Sequence, residues 1–278
     1  YLFSGPPDIG KIKIAISLAK LLQTKNLNET EAKLISHQID QKIHLDTMEM
    51  RNDGESIKIE PIREAITELN MTGNSNYRVM IIEDIERMTP ECSNAMLKIL
   101  EEPASKVIFL LTTGKVNQVM ETILSRLRVI NFSLFQEDEM TSLLTEKYRN
   151  LGVKQLQEIV QFSLGRIGLA IKLIENPTLY DHYKEVYVNM ASLIETGNLV
   201  EGFALIEKIH QEKELVQIFI EIAFVVLRSK MNEAIQNKSN PNELRKLTET
   251  IDNLHEIRAK SQTNVNTRLL LENFLLKL

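Results

Sequence analysis

The segment Gly5 to Lys11, GPPDIGK, constrains the fold more than any other part of the chain. It follows a short apolar run, Tyr1 to Ser4, that reads as a buried strand. It precedes Lys11 to Gln23, where Ile14, Leu18, Leu21 and Leu22 recur at helical spacing. The spacing G-x-x-x-x-G-K between a strand and a helix makes a loop whose N–H groups can wrap a phosphate while the lysine neutralises it. Such a loop belongs at the end of a strand in a parallel sheet covered by helices.

The next segments keep that alternation. Glu29 to Gln41 reads as a helix and Ile43 to Met50 as a half-buried strand. Pro61 suits the first turn of a helix running to Leu69. Val79 to Ile82 is solidly apolar, as in a central strand buried on both faces. Residues 90–101 read as a helix with Pro90 near its start and Pro103 just past its end. Val107 to Leu111 is a further strand, Val116 to Leu124 a short helix and Val129 to Phe132 a last strand. After Ser133 the strand signals stop. Glu137 to Tyr148, Leu156 to Phe162 and Gly168 to Ile174 read as short helices. Longer ones follow through 203–209, 215–228, 242–257 and 265–278, with turns at Glu195 to Asn198 and Asn237 to Pro241.

The expected organisation is an α/β domain over 1–133, a small helical lid over 134–179 and a helical bundle over 180–278. A start at Tyr1, inside a strand and without methionine, predicts that some N-terminal structure is missing. The length of 278 residues by itself suggests roughly two domains. The net charge of −5 is spread over both halves, so neither is a strongly basic nucleic-acid module. A single cysteine, Cys92, excludes an internal disulfide framework and a multi-cysteine zinc site and fits a reducing cytoplasm. It reads as an exposed residue at a helix start. Met48, Met50, Met80, Met88, Met96 and Met120 fall at core spacing, and His37 and His44 read as surface side chains. The apolar stretch around Ile218 to Leu227 contains Glu221 and is too short to span a bilayer.

The phosphate loop departs from a working one. Ile12 stands where a Ser or Thr hydroxyl would ligate Mg²⁺, and Asp8 places a carboxylate beside the phosphate position. At the end of the Val79 strand the acids read Glu83-Asp84, the reverse of the metal-then-water order that follows such loops. These features predict no hydrolysis by this chain, with weak nucleotide binding left open.

Several segments then agree. Asn94 to Pro103, NAMLKILEEP, resembles the N-A-L-L-K-x-L-E-E-P block of the AAA+ clamp-loader subunits of bacterial DNA polymerase III. Leu111 to Thr113 resembles their γ-phosphate-sensing strand end, Ile123 to Leu127 resembles their S-R-C motif with Leu127 in place of Cys, and Asn264 to Glu272 resembles a last collar helix of the delta-prime type. The resemblance covers nearly the whole chain. The gamma/tau ATPase type needs an intact loop, a four-cysteine zinc module and a sensing arginine in the lid. Here the loop is altered and the zinc module is absent. Gly168 falls at the arginine position in Gly165 to Ala170; Arg166 nearby is a candidate substitute for it, and reads more readily as solvent-facing.

The resemblance therefore implies a non-catalytic, delta-prime-like subunit of a bacterial, cytoplasmic clamp loader, helping to load the sliding clamp onto primed DNA. It implies gamma/tau and delta subunits as partners, clamp and DNA reached through the complex, no membrane and no zinc, and ATP and Mg²⁺ held by neighbouring subunits. Gly5, Gly10, Lys11, Glu83, Asp84 and Thr112 are the degenerate nucleotide site, with no metal site of the chain's own. Arg126 is the arginine offered in trans to the neighbouring ATPase, with Ser125 fixing its turn. Arg128 is the competing candidate, and from spacing alone Arg126 reads as a surface ion-pair residue. The alternative is an active gamma/tau-like ATPase subunit using Lys11 and Asp84.

Overall fold

The computed structural model describes all residues except 52, 53, 55, 70–76, 103–105, 238, 239 and 262–264. The expected helix stop at Pro103, the middle of the 237–241 turn and the first residue of the 264–272 block thus lie outside the described residues. The described residues divide into two compact units, residues 1–135 with 166–168, and residues 136–165 with 169–278. No helix among them is long and apolar enough to cross a membrane.

The first unit carries five described strands in one sheet: β1 (Leu2–Ser4), β2 (Thr47–Met50), β3 (Arg78–Ile82), β4 (Val107–Thr113) and β5 (Val129–Asn131). Every pairing is parallel and the order is β2-β3-β4-β1-β5, with Leu2 opposite Leu111 and Val129, and Met80 opposite Met48 and Phe109. Around it run α1 (Lys11–Thr24), α2 (Glu29–Asp40), α3 (Ile59–Leu69), α4 (Pro90–Glu101) and α5 (Glu121–Leu124). Strand alternation splits the core in two. Leu2, Met80, Ile82, Phe109 and Leu111 face Ile62, Leu69, Cys92, Met96 and Ile123 of α3, α4 and α5. Phe3, Val79, Ile81 and Leu110 face Ala15 and Ala19 of α1.

That second face corrects the reading of α1. Its buried stripe is Lys11, Ala15, Ala19 and Gln23, while Ile14 and Leu21 are exposed. The two alanines let the helix axis approach the sheet, and the larger Leu18 and Leu22 pack at the margin. Gln23 is buried because its Nε2 reaches the carbonyls of Asp46 and Tyr77, tying the end of α1 to the starts of β2 and β3. Other expectations are corrected too. β2 begins only at Thr47, since Ile43 and Leu45 point outward. The 116–124 helix is broken into a 3₁₀ turn, Val116–Gln118, and α5, because Val119 and Met120 are extended. Met120 is exposed, unlike the other five methionines expected at core spacing. Cys92 is fully buried, because Thr89 caps α4 by accepting from the Cys92 N–H and so turns the thiol inward. Burial there pushes the thiol up to about 11.

The second unit is helical: α6 (Glu137–Lys147), α7 (Val153–Ser163), α8 (Ile167–Glu175), α9 (Pro177–Thr196), α10 (Leu199–Ile209), α11 (Lys213–Gln236), α12 (Pro241–Lys260) and α13 (Thr267–Leu275). The first two residues of α8 group with the first unit. Asn176, Asn198, Asn240 and Asn266 cap α9, α10, α12 and α13 by accepting from backbone N–H groups two or three residues on, which sets where each helix starts. α11 is the central helix, with Phe219, Ile220 and Ile222 fully buried. Phe162 of α7 is also fully buried and sits among Tyr180, Tyr183 and Tyr187 of α9, with centroids 6.4, 6.1 and 5.3 Å away.

Candidate nucleotide-type loop and outward arginine

The carboxyl ends of β1, β3 and β4 meet at the phosphate-type loop, the place where open α/β sheets bind ligands. Gly5 passes so close to the carbonyl of Phe132 that a Cβ there would lie 2.6 Å from its oxygen. Gly10 caps α1 in the left-handed region at φ 94°, a conformation that favours glycine. The two glycines expected to shape the loop do so.

Lys11 does not point into open space. It is buried, and its Nζ donates to the carbonyls of Gly5 at 2.8 Å and Pro6 at 2.7 Å. Burial pushes its ammonium below the ordinary lysine range, against the pull of the carboxylates of Asp84, Glu86, Asp8 and Glu83. The loop thus closes on its own lysine. Its far side is closed as well: Asp8 adopts a left-handed backbone at φ 58° and turns its carbonyl toward Gly168, whose N–H donates to it at 2.7 Å. A Cβ at position 168 would stand 2.4 Å from that oxygen, so this position has no room for any side chain. Arg166, expected to face solvent, is buried, directly after Leu164 and Gly165, which both have positive φ.

The acid end of β3 is fixed by the sheet. The Asp84 N–H donates to Thr112 Oγ1 at 3.1 Å, and the Lys115 N–H to Thr113 Oγ1 at 3.0 Å. Both threonines are buried polar caps on β4: Thr112 holds the Glu83-Asp84 turn and Thr113 the turn after its own strand. Glu86 was not among the expected site residues. Its Oε1 accepts from the Gly114 N–H at 2.8 Å and closes the third side of the site. The acid at Glu86, two beyond Asp84 in a turn of short period, is the signal that could have found it. His44, read as a surface side chain, is half-buried with Nδ1 3.0 Å from Thr47 Oγ1, and burial lowers its pKa; His37 is exposed.

Gly168→Ala tests the closure. Alanine in place of glycine in a helix normally stabilises by about 1 kcal/mol. Here the methyl must displace the Asp8 carbonyl from the Gly168 N–H, and the expected sign reverses to a loss of about 1–3 kcal/mol, read as a lower thermal midpoint. A raised midpoint would mean that the loop yields without cost.

Arg126 lies elsewhere. It precedes β5 by three residues and so stands at the amino end of the strands, while the loop follows β1 at their carboxyl end. Parallel pairing of β1 with β5 therefore separates the arginine from the loop of its own chain. The turn that presents it is closed by Ser125 Oγ donating to the Thr122 carbonyl at 3.0 Å, and by the Arg126 N–H donating to the Ile123 carbonyl. The guanidinium is partly exposed. Nη1 donates to the Thr122 carbonyl at 2.7 Å and to Ser125 Oγ at 3.1 Å, and Nε donates to Glu101 Oε1 at 3.0 Å, which Nη2 also reaches. Arg128 is also exposed. The structure thus unites Gly5, Gly10, Lys11, Glu83, Asp84 and Thr112 at one site and keeps Ser125 and Arg126 as a second.

Residues 1–136 match the family model for the DNA polymerase III delta subunit. The chain is 24% identical to the DNA polymerase III subunit delta' of Bacillus subtilis, over 100% of this chain and 90% of that one. It is 29% identical to the DNA polymerase III subunit gamma of Buchnera aphidicola from Acyrthosiphon pisum, over 63% of this chain and 51% of that one, so it spans about half the length of that relative. Among solved structures it is similar to a DNA polymerase III gamma subunit-related protein from Thermotoga maritima, with a TM-score of 0.54 at 20% identity, covering 99% of this chain and 92% of that one. That similarity speaks for the fold.

Proposed function

From the premise that the chain belongs to the AAA+ clamp-loader family of DNA polymerase III, we propose that it is a non-catalytic, delta-prime-like subunit that braces the loader and serves a neighbouring ATPase. One observation carries the reading: the loop is closed on itself, with Lys11 spent on the carbonyls of Gly5 and Pro6 and Gly168 seated on Asp8. Ile12 adds that no hydroxyl follows the lysine to hold Mg²⁺. Hydrolysis needs the reverse: an open cradle of N–H groups, a free ammonium and a metal ligand. The residues present do not fit a resident Mg-nucleotide, and no step of the reading runs through one in this chain.

Its contribution is then mechanical and electrostatic. Arg126, set at the opposite end of the strands from its own loop, serves a phosphate only in another molecule. An arginine given in trans stabilises the charge that spreads over a phosphoryl group in transfer. Gamma/tau-type and delta-type subunits are the proposed partners in a bacterial cytoplasm, with the 134–179 helices as lid and the 180–278 helices as collar. The sliding clamp and primed DNA are reached through the assembled complex.

The direct test is titration of the isolated chain with Mg-ATP by calorimetry, with phosphate release followed in the same sample. Neither saturable heat nor turnover is expected. The likeness to a gamma subunit favours the second reading, an ATP-hydrolysing subunit. Saturable binding with turnover would establish that reading and remove the first.

A further inference from the structure

The geometry points to Glu101 as the resting partner of Arg126, a carboxylate that holds the arginine folded back until a more highly charged phosphate draws it out. The inference rests on the trans role proposed above for Arg126. A guanidinium has five N–H donors. Nε and Nη2 both go to Glu101 Oε1, and Nη1 serves the Thr122 carbonyl and Ser125 Oγ. At most one N–H is left over. No two-pronged fork is therefore open to an incoming anion while this arrangement lasts.

Glu101 is itself placed against local preference. It is the last residue of α4, where the unpaired carbonyls favour a cation and disfavour a carboxylate. Glu102 follows it at the cap position. Lys98 in the same turn offsets the carbonyl ends, and Arg126, 25 residues away in sequence, pairs with the Glu101 carboxylate itself. A local rule broken at a partly exposed position is the mark of a residue kept for another purpose.

The pair is built to exchange. The side chains of Arg126 and Glu101 are 32% and 50% exposed, so water competes for both and the attraction is modest. A terminal phosphate offers three oxygens and more charge than one carboxylate, so it displaces Glu101 where it is presented at the right distance. Glu101 is thus a positioning residue. It sets the fraction of molecules with a free arginine, and apparent affinity scales with that fraction.

The test is the steady-state ATPase of the complex reconstituted with gamma- and delta-type subunits of the same organism, comparing wild type, Glu101→Gln, Arg126→Ala and the double variant. Glu101→Gln keeps the size of the side chain and removes its charge. The expected result is a KM for ATP lowered about two- to fivefold with kcat unchanged, because saturating ATP draws the arginine out in either form. The difference shrinks as salt rises. It vanishes when Arg126 is already alanine. If Arg126→Ala alone keeps wild-type kinetics, the trans role fails and the inference falls with it. If Arg126→Ala is impaired while Glu101→Gln matches wild type or raises KM, the trans role stands and the resting-partner inference is overturned. A change in KM that persists in the double variant overturns it too, since Glu101 then acts by another route.

Discussion

Arg126→Ala is expected to slow single-turnover hydrolysis at the adjoining ATPase site by about 10³-fold, the low end of what a trans arginine supplies, and to leave assembly intact. The expectation follows from position. The residue sits on a short turn after α5, at the amino end of the sheet, with its guanidinium directed toward the end of α4. Its removal breaks a partly exposed ion pair and two hydrogen bonds to its own turn, which costs the fold about 1 kcal/mol or less. Gel filtration of the reconstituted complex should therefore be unchanged while the chemical step is lost. Arg126→Lys should not restore the rate, because an ammonium keeps the charge but cannot make the planar fork. Wild-type hydrolysis in the alanine variant would leave Arg126 as a surface side chain and no more.

Phe162→Ala is expected to cost the helical unit about 3–5 kcal/mol. The ring is fully buried and surrounded by Tyr180, Tyr183 and Tyr187, so its loss removes apolar burial and three aromatic contacts together and leaves a cavity. Those tyrosines are anchored at their outer ends. Tyr180 donates to Glu158, which Lys184 also meets at 3.2 Å, and Tyr183 donates to Glu221 at 2.5 Å. Collapse into the cavity is therefore restricted, which puts the loss toward the upper part of the range. The thermal midpoint should fall by roughly 10 °C. The near-UV circular dichroism should weaken, since three of the six tyrosines line this site and the chain has no tryptophan. An unchanged midpoint would mean that α7 is held by other contacts.

The parts of the fold legible beforehand are those where local chemistry and tertiary packing agree. The start of helix α4 is legible because Pro90 opens it directly after the Thr89 cap. Strands β3 and β4 were read because both of their faces are apolar, which only a central strand requires. The stripe of α1 was misread because alanine carries almost no hydrophobic signal, and its burial follows from how close the helix approaches the sheet. The same holds for Cys92, which the Thr89 cap turns inward although the flanking residues Glu91 and Ser93 are polar. At the candidate site, the six loop and strand-end residues were legible as a group because their spacing encodes where they meet. The closure was not, since it depends on residues 5–11 meeting 166–168, more than 150 positions on. Glu101 lay inside the block that carried the resemblance, yet nothing in the spacing joins it to Arg126.

The seat of Gly168 on Asp8 also bears on how such a chain changes over generations. The resemblance described above would put a nucleotide-sensing arginine at position 168, as a part separate from the loop. Here the same 2.7 Å contact that shuts the loop also abolishes the space for the sensor. Restoring a hydroxyl at Ile12 would leave the cradle shut, and restoring an arginine at 168 would first have to pry it open. On the proposed reading, in which this chain does not hydrolyse ATP, the contact would work as a ratchet: with the backbone settled into it, a single substitution at position 12 or 168 leaves the loop shut.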